Sequence, residues 1–487
     1  MSTRRDFMKG SLAGTAFLGL AGMPALGKEG GGKMATGNKA DISHRLFFFE
    51  EDGPAKAYGV HHVYAPVKKL ECHVDDGGFG LPCIDFDDPI VMHDGSYRCY
   101  GTVRPADEST MAIGLWKSAD ALDWKPVDLG QGKNLVHFDN LPGDQSAVGL
   151  PNVLRLKDGK WRMYFWKHRD GHLRYLIAES KDGLRWRVLD VNKPALYHPA
   201  DSTTDPARKR LLSNDSTHIH FNEQMDRFEC YSVWLHPAIP ERRVEVDNAP
   251  DLHRLIHRRF SSDGIEWSDA ELIIWPDERD PWDLQFYFLS VHRQEGWMIG
   301  RLGYYRVADG LQTMDTDLCF SRDGYRWERP VRGGWIPRSE DGLDKMGIYA
   351  GAAWMDLGDR WLTLYSGTPV PHNAKSHKSG VMAASFAKNR FVGLQADRTP
   401  GGFMTEPFFP AGDVRLDADI QGSLRAELCD AFGRKLDGFH LMDSIPIIGD
   451  SEGHVLKWKN ASTADHRFEC LRLRFEYSDG VVYGVSF

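Results

Sequence analysis

One phrase recurs along the chain and limits what it can fold into. Ser-x-Asp-Gly-x-x-Trp appears as SKDGLRW from Ser180, SSDGIEW from Ser261 and SRDGYRW from Ser321, and a worn copy, SADALDW, starts at Ser118. Gly adopts a positive φ without a Cβ clash, Asp bonds its own backbone two residues on, and Ser does the same more weakly. The Trp buries a large ring whose N–H seeks a partner. Each copy therefore reads as a tight turn with an aromatic anchor, and the set reads as a repeated structural unit.

The text around the turns repeats as well. An apolar strand, a short Gly- or Asp-bearing turn and an aromatic strand occupy residues 88–102, 150–166, 215–234, 286–305 and 351–367. Apolar alternation on both sides of a turn predicts hairpins, with a third strand leading into the Asp-Gly turn. In the fifth unit GVMAASFAKNRFVGL stands in that place, and IPERRVEVDNAPDLHRL reads as a loop inserted in the third. Long stretches of helical period are absent. With 487 residues the chain is too long for one ordinary core. The expected fold is all-β: a five-bladed β-propeller over residues 81–400, followed by a small C-terminal β-sandwich over 401–487. The sandwich would brace the propeller or bind sugar. Residues 28–80 read as a leader and linking strands.

The N-terminus reads as an export signal. TRRDFMKG, with the pair Arg4 and Arg5, precedes an apolar, small-residue stretch to Leu26. This is the form of a twin-arginine signal peptide over residues 1–27, and the expected location is the periplasm. The alternative is a membrane anchor, for which the apolar run is short, and no other segment is long and apolar enough to cross a membrane. A net charge of −9 argues against a nucleic-acid partner. The seven cysteines form no CxxC pair, which argues against structural zinc. A Cys72–Cys83 disulfide suits an oxidising compartment, although the sequence does not decide it.

In a propeller the first strand of each unit starts at a shared axis, so chemistry is sought at those starts. Asp88 opens the first unit with Asp85 and Asp87 close by, and Asp215 opens the third, with His218 and His220 two apart along the strand. DPWDLQFY ahead of the fourth supplies Asp283 and Tyr287; SEDGLDKMGIY ahead of the fifth supplies Asp344 and Tyr349. The second opens with Leu150-Pro151-Asn152 and carries no acid there. Several carboxylates around one axis match glycosidic cleavage, which takes one acid to protonate the leaving oxygen and a second carboxylate as base or nucleophile. Crowding and burial would keep one of them protonated. Arg258 is a candidate contact to an anionic or polyhydroxylated substrate. His218, Tyr287, Asp344, Tyr349 and Asn152 are further substrate-contact candidates. Asp215 with the two histidines is an alternative metal set, but neither a metal nor a cofactor is expected.

At these residues the chain resembles the five-bladed propeller glycoside hydrolases of families 43, 32 and 117. The stretch DDPIVMHDGSYRCYGT resembles the opening blade of family 43, in which the Asp of an Asp-Pro pair is the general base. The resemblance implies that role for Asp88. DSTH stands where that family places its general acid, which implies that role for Asp215, and Asn152 stands where it has a pKa-tuning Asp. DPWDLQFYFLSV and GLDKMGIYAGAAW are similar to family 32-like exported sugar hydrolases and point to Asp283 and Asp344. The expectation is an exported glycosidase acting on the ends of plant or algal oligosaccharides. The alternatives are a propeller that binds glycan without cutting it, a sialidase-like enzyme, or a lyase.

Overall fold

Each repeated phrase folds as the turn its residues imply. The Gly183, Gly264 and Gly324 N–H groups donate to the Ser180, Ser261 and Ser321 hydroxyls at 2.9, 2.8 and 2.8 Å. Oδ1 of Asp182, Asp263 and Asp323 accepts the N–H two residues on, from Leu184, Ile265 and Tyr325, at 2.8, 2.8 and 2.7 Å. The three glycines have φ of +75°, +71° and +74°, and Ala121 holds φ +63° in the worn copy. The tryptophans Trp124, Trp186 and Trp267 are buried.

The computed structural model describes residues 45–77, 83–104, 110–130, 133–141, 147–169, 172–199, 204–247, 249–307, 312–374 and 379–487. The expected signal peptide lies outside them. The described residues are all-β and lie in one compact unit, and their longest α-helix is Pro206–Lys209. No helix among them is long and apolar enough to cross a membrane.

Five antiparallel meanders carry the hairpins expected from the sequence, and their first strands are labelled here. The first meander runs from β1 (Cys83–Phe86), with Ile90–Val91 continuing its line, through Tyr97–Val103 and Ala112–Ser118 to Asp123–Pro126. The second starts at β2 (Val148–Arg155), the third at β3 (Thr217–Asn222). The fourth, from β4 (Leu284–Gln294), and the fifth, from β5 (Gly347–Asp356), belong to one seven-stranded sheet, joined at a single parallel pair, Met314 with Gly347. The segment after residue 67 ties the first and last meanders: Lys68–Leu70 pairs with the outer strand of the fifth, and His73–Val74 pairs with the outer strand of the first.

Neighbouring meanders are latched at the repeated turns. Arg98, Arg162 and Arg258 each donate from Nη1 to the carbonyl of the next turn's Asp: Asp182 at 3.0 Å, Asp263, and Asp323 at 3.4 Å. Tyr100 and Tyr164 donate to the following Gly carbonyls, at Gly183 and at Gly264 (2.8 Å). Glycine is thus required for space as well as for φ. A Cβ on Gly264 would lie 2.5 Å from the Tyr164 hydroxyl and 2.6 Å from Arg162 Nη1.

The C-terminal strands share one eight-stranded sheet with segments far away in sequence. Arg415–Asp430 and Leu471–Ser486 pair along their length, and Leu471–Ser486 also takes in Arg45–Phe47, Val392–Ala396 and Gly401–Met404. Val60–Tyr64 joins beside Val392–Ala396. The stretch GVMAASFAKNRFVGL is therefore split: Gly380–Ala387 closes the fifth meander, and Val392–Ala396 serves this other sheet. The sheet encloses its own core, in which Phe48, Phe403, Leu416, Leu428, Trp458 and Phe475 are buried.

Gly159 has φ +84° with open space around its Cβ position, so Gly159→Ala is expected to cost about 1 kcal/mol. Gly264→Ala adds the clash with Tyr164 and Arg162 and is expected to cost about 3 kcal/mol. Denaturant unfolding of the two variants checks the difference, and equal losses would refute the latch.

Candidate active site

The five first strands deliver their residues to one pocket of about 330 Å³. β1 and the segment after it supply Ile84 to Asp88, β2 supplies Leu150 to Asn152, and β3 with its approach supplies Asp215 to His218. β4 supplies Tyr287 to Ser290, and β5 supplies Tyr349 to Gly351, with His372 from a later loop. The register of these strands breaks at the pocket: between Cys83 and Asp85, Gly149 and Asn152, Phe286 and Leu289, and Ala350 and Trp354. Such irregularities re-aim side chains that a regular pleat would turn the other way. Asp87, Asp88 and Pro89 stand in the gap between Cys83–Phe86 and Ile90–Val91. Pro89 lacks the N–H that would continue the ladder.

Asp88 is the most elaborately held of the carboxylates. One oxygen accepts the Ala353 N–H from β5, and the other lies 3.5 Å from His218 Nε2 on β3. Behind it is Arg301, fully buried on Trp297–Arg306, with its guanidinium carbon 5.1 Å from the Trp354 ring centre. Burial alone would raise the Asp88 carboxyl. The bond and charge of His218, the Arg301 charge and the Ala353 N–H outweigh it and hold Asp88 below the usual carboxylate range. Burial pulls Arg301 down to about 9 against the attraction of Asp88.

Its neighbour Asp87 is driven the other way. Burial, then the negative charge of Asp88, push the Asp87 carboxyl well above its ordinary value. It accepts the Asn152 side-chain N–H at 3.2 Å and the Val153 N–H. Asn152 in turn accepts the Ile219 N–H at 2.5 Å, so one buried amide ties β2 to both Asp87 and β3. Burial likewise raises Asp85, which accepts the Thr102 N–H at 2.9 Å. The two adjacent carboxyls, Asp87 and Asp88, are thus shifted in opposite directions.

Asp215 lines the same pocket as Asp88, from the approach to β3. The Ser216 N–H donates to its Oδ1 at 2.9 Å, and the Tyr287 hydroxyl reaches the same oxygen at 3.5 Å. Tyr287 packs edge-on against His372, ring centres 4.8 Å apart, and the Tyr349 hydroxyl lies 2.6 Å from His372 Nδ1. The inserted loop of the third meander steadies this wall. Its Asp247 pairs with Arg254 at 2.8 Å and accepts from Gln285 at 3.0 Å and Tyr305 at 3.3 Å, and Arg254 lies 5.4 Å from the Tyr287 ring centre.

Of the residues singled out by sequence, Asp88, Asn152, Asp215, His218, Tyr287 and Tyr349 line the pocket. Asp283, Asp344 and Arg258 do not. Asp283 receives Arg306 at 2.7 Å and the Val307 N–H at 3.0 Å, which fastens the start of β4 to the end of its neighbour. Asp344 is fully buried and bonded to Lys69 at 2.5 Å and Tyr365 at 3.1 Å. Arg258 stacks over Tyr325 at 3.9 Å and pairs with Glu271 at 3.3 Å as part of the turn latch. His220 turns to Glu229 at 3.4 Å rather than to the pocket. Among the described residues no group of three or more His, Cys, Asp and Glu is placed to hold a metal ion, and all seven cysteines, Cys72 and Cys83 included, are free thiols. Arg301, His372 and Asp247 were not read from the sequence. Only Arg301 carried a signal, as a charge inside an otherwise apolar strand.

No protein-family model matches the chain, and no curated protein sequence matches it. Among solved structures it is similar to a glycoside hydrolase at 14% identity and a TM-score of 0.48, over 66% of this chain and 92% of that one. It is similar to a family 117 glycoside hydrolase of the marine bacterium Zobellia galactanivorans at 13% identity and 0.42, over 66% and 90%. A thermostable family-43 glycoside hydrolase is similar at 16% identity and 0.42, over 61% and 88%.

The depressed carboxyl of Asp88 fixes the sign of a pH effect. A group whose folded pKa lies below its unfolded value of about 3.9 stabilises the protein above that pH, and the contribution disappears as pH falls through the folded value. The stability difference between wild type and Asp88→Asn is therefore expected to be largest above pH 4 and to shrink on acidification. Denaturant unfolding across pH 2–7 measures it; a difference that grows towards low pH would overturn the assignment.

Proposed function

We propose that the protein is an exported glycoside hydrolase that releases terminal sugars from oligosaccharides. The observation that carries this reading is the convergence of Asp88 and Asp215 from two different sheets into one pocket, with Asp88 backed by Arg301. We read the five meanders as the blades of a five-bladed β-propeller and the eight-stranded sheet as a curled β-sandwich beside it. A pocket of this volume is at the small end for ligand sites, which suits one end of a chain rather than a long segment.

In this mechanism Asp88, held ionised, acts as base on water or as nucleophile at the sugar carbon. Asp215 gives its proton to the departing glycosidic oxygen. The Tyr287 hydroxyl and the Ser216 N–H both donate to Asp215 Oδ1, which leaves Oδ2 for that proton. Asp87, whose carboxyl is pushed upward by burial and by Asp88, carries less negative charge into the pocket at the moment a positive charge develops on the sugar. Tyr349, His372, Ser290, Ser366 and Thr368 offer hydrogen-bonding groups for sugar hydroxyls. No Arg or Lys lines the pocket among the described residues, whereas a sialidase-like reading calls for a cluster of arginines. The twin-arginine segment supports a periplasmic location, where such substrates would arrive from outside the cell.

The test is product release from a panel of plant and algal oligosaccharides. Wild type is expected to release a monosaccharide or short oligosaccharide from at least one of them. Asp215→Asn is expected to lose about 10²- to 10⁴-fold in kcat, and Asp88→Asn at least as much. Equal rates in wild type and Asp215→Asn would place the acid elsewhere. Saturable glycan binding without product would favour a non-catalytic binding protein.

A further inference from the structure

On the third meander, among residues that do not line the pocket, two histidines meet. His236 stands on Arg227–Pro237 and His257 on Leu252–Ser261, which pair as neighbouring antiparallel strands. Their Nε2 atoms are 3.1 Å apart. The two rings are nearly parallel, at 13° with centres 4.9 Å apart, and Trp234 packs against both, at 5.7 and 5.0 Å. His257 is almost completely buried, and His236 is half-buried.

The tautomers follow from what surrounds the rings. His257 Nδ1 faces the Leu255 carbonyl at 3.4 Å, an acceptor, so its proton belongs on Nδ1. That leaves Nε2 of His257 as a lone pair pointing at His236. A backbone carbonyl that holds the proton on one ring nitrogen leaves the other with a lone pair, the arrangement that prepares an imidazole to bind a metal. As it stands, the lone pair is met by a proton on His236 Nε2. With the His236 proton moved from Nε2 to Nδ1, a divalent ion would find two neutral nitrogens 3.1 Å apart.

We propose that His236 and His257 form a two-imidazole site for a divalent transition-metal ion of the copper, nickel or zinc class. With metal–nitrogen bonds of about 2.0–2.1 Å, two cis nitrogens lie about 2.9 Å apart in a square-planar ion and about 3.4 Å apart in a tetrahedral one. The observed 3.1 Å falls between these values. Two protein ligands leave positions for water, and the half-buried His236 provides the open side. The guanidinium of Arg259, 5.8 Å from the Trp234 ring centre, opposes every divalent cation alike, so the preference for copper rests on its affinity for imidazole, which exceeds that of zinc. The site does not depend on the proposed hydrolase activity, because none of its residues lines the catalytic pocket.

The experiment uses the full chain without an affinity tag, titrated with Cu²⁺ and with Zn²⁺ at pH 7.5 by calorimetry. One Cu²⁺ equivalent is expected to bind, with electron paramagnetic resonance showing two nitrogen ligands. His236→Asn and His257→Asn are each expected to weaken that binding at least tenfold, and the double variant no further than the stronger single one, because the two nitrogens act as a unit. Unchanged binding in either variant, or the absence of a stoichiometric copper site in wild type, would overturn the proposal. A measurement on wild type alone guards against a variant that fails to fold: Cu²⁺ should protect His236 from modification by diethyl pyrocarbonate. Modification at the same rate with and without copper would also refute the site and leave the pair as an N–H···N hydrogen bond.

Discussion

The hydrogen bond from an arginine of one meander to the turn carbonyl of the next is the contact on which the arrangement of the sheets depends. Arg98, Arg162 and Arg258 make it in turn, and the carbonyls they reach belong to Asp182, Asp263 and Asp323. An antiparallel meander does not by itself specify how far it is rotated from its neighbour. Apolar faces pack with broad tolerance, whereas a guanidinium fork bonded to one carbonyl does not. Gly183, Gly264 and Gly324 admit the approach because they have no Cβ. The repeated phrase therefore works twice, as a turn within its own meander and as a socket for the one before.

Rotation set in this way decides what the first strands present to one another. Asp88 meets the Ala353 N–H of β5 and His218 of β3 at the half-buried wall of the pocket. A carboxylate there would be neutralised unless positive charge and N–H donors compensate for its desolvation. Arg301 and His218 supply the compensation for Asp88, while Asp87 receives only neutral donors and the repulsion of its neighbour. Two residues adjacent in sequence thus acquire opposite tendencies. The strand irregularities at the same places aim these side chains inward.

Much of this was legible in the sequence because it is local. Period-two alternation marked the hairpins, Asp-Gly marked the turns, and the residues at the start of each hairpin pointed to Asp88, Asp215, His218, Tyr287 and Tyr349, while the resemblance to family 43 drew attention to Asn152; all six line the pocket. Asp283 and Asp344 sit at equivalent positions and were indistinguishable from them by that rule. Their partners Arg306 and Lys69 divert them to structural pairs, and Lys69 lies far away in the chain. Arg258 looked like a substrate contact because a strand residue's face is clear only once its neighbour is known. The boundary drawn near residue 401 missed the sharing of the C-terminal sheet with Arg45–Phe47, Val60–Tyr64 and Val392–Ala396, since nothing local in those short strands names Leu471–Ser486 as their destination.

The sequence by itself determined the secondary structure class, the repeat and the set of polar residues available near the strand starts, because turn chemistry and strand periodicity act over a few neighbouring residues. Only the tertiary structure decided which carboxylates face the pocket, which are spent on ion pairs, and in which direction the Asp87 and Asp88 carboxyls shift. Those outcomes depend on burial and on cations brought from other sheets, and Coulomb interaction and desolvation follow distance in space rather than distance along the chain.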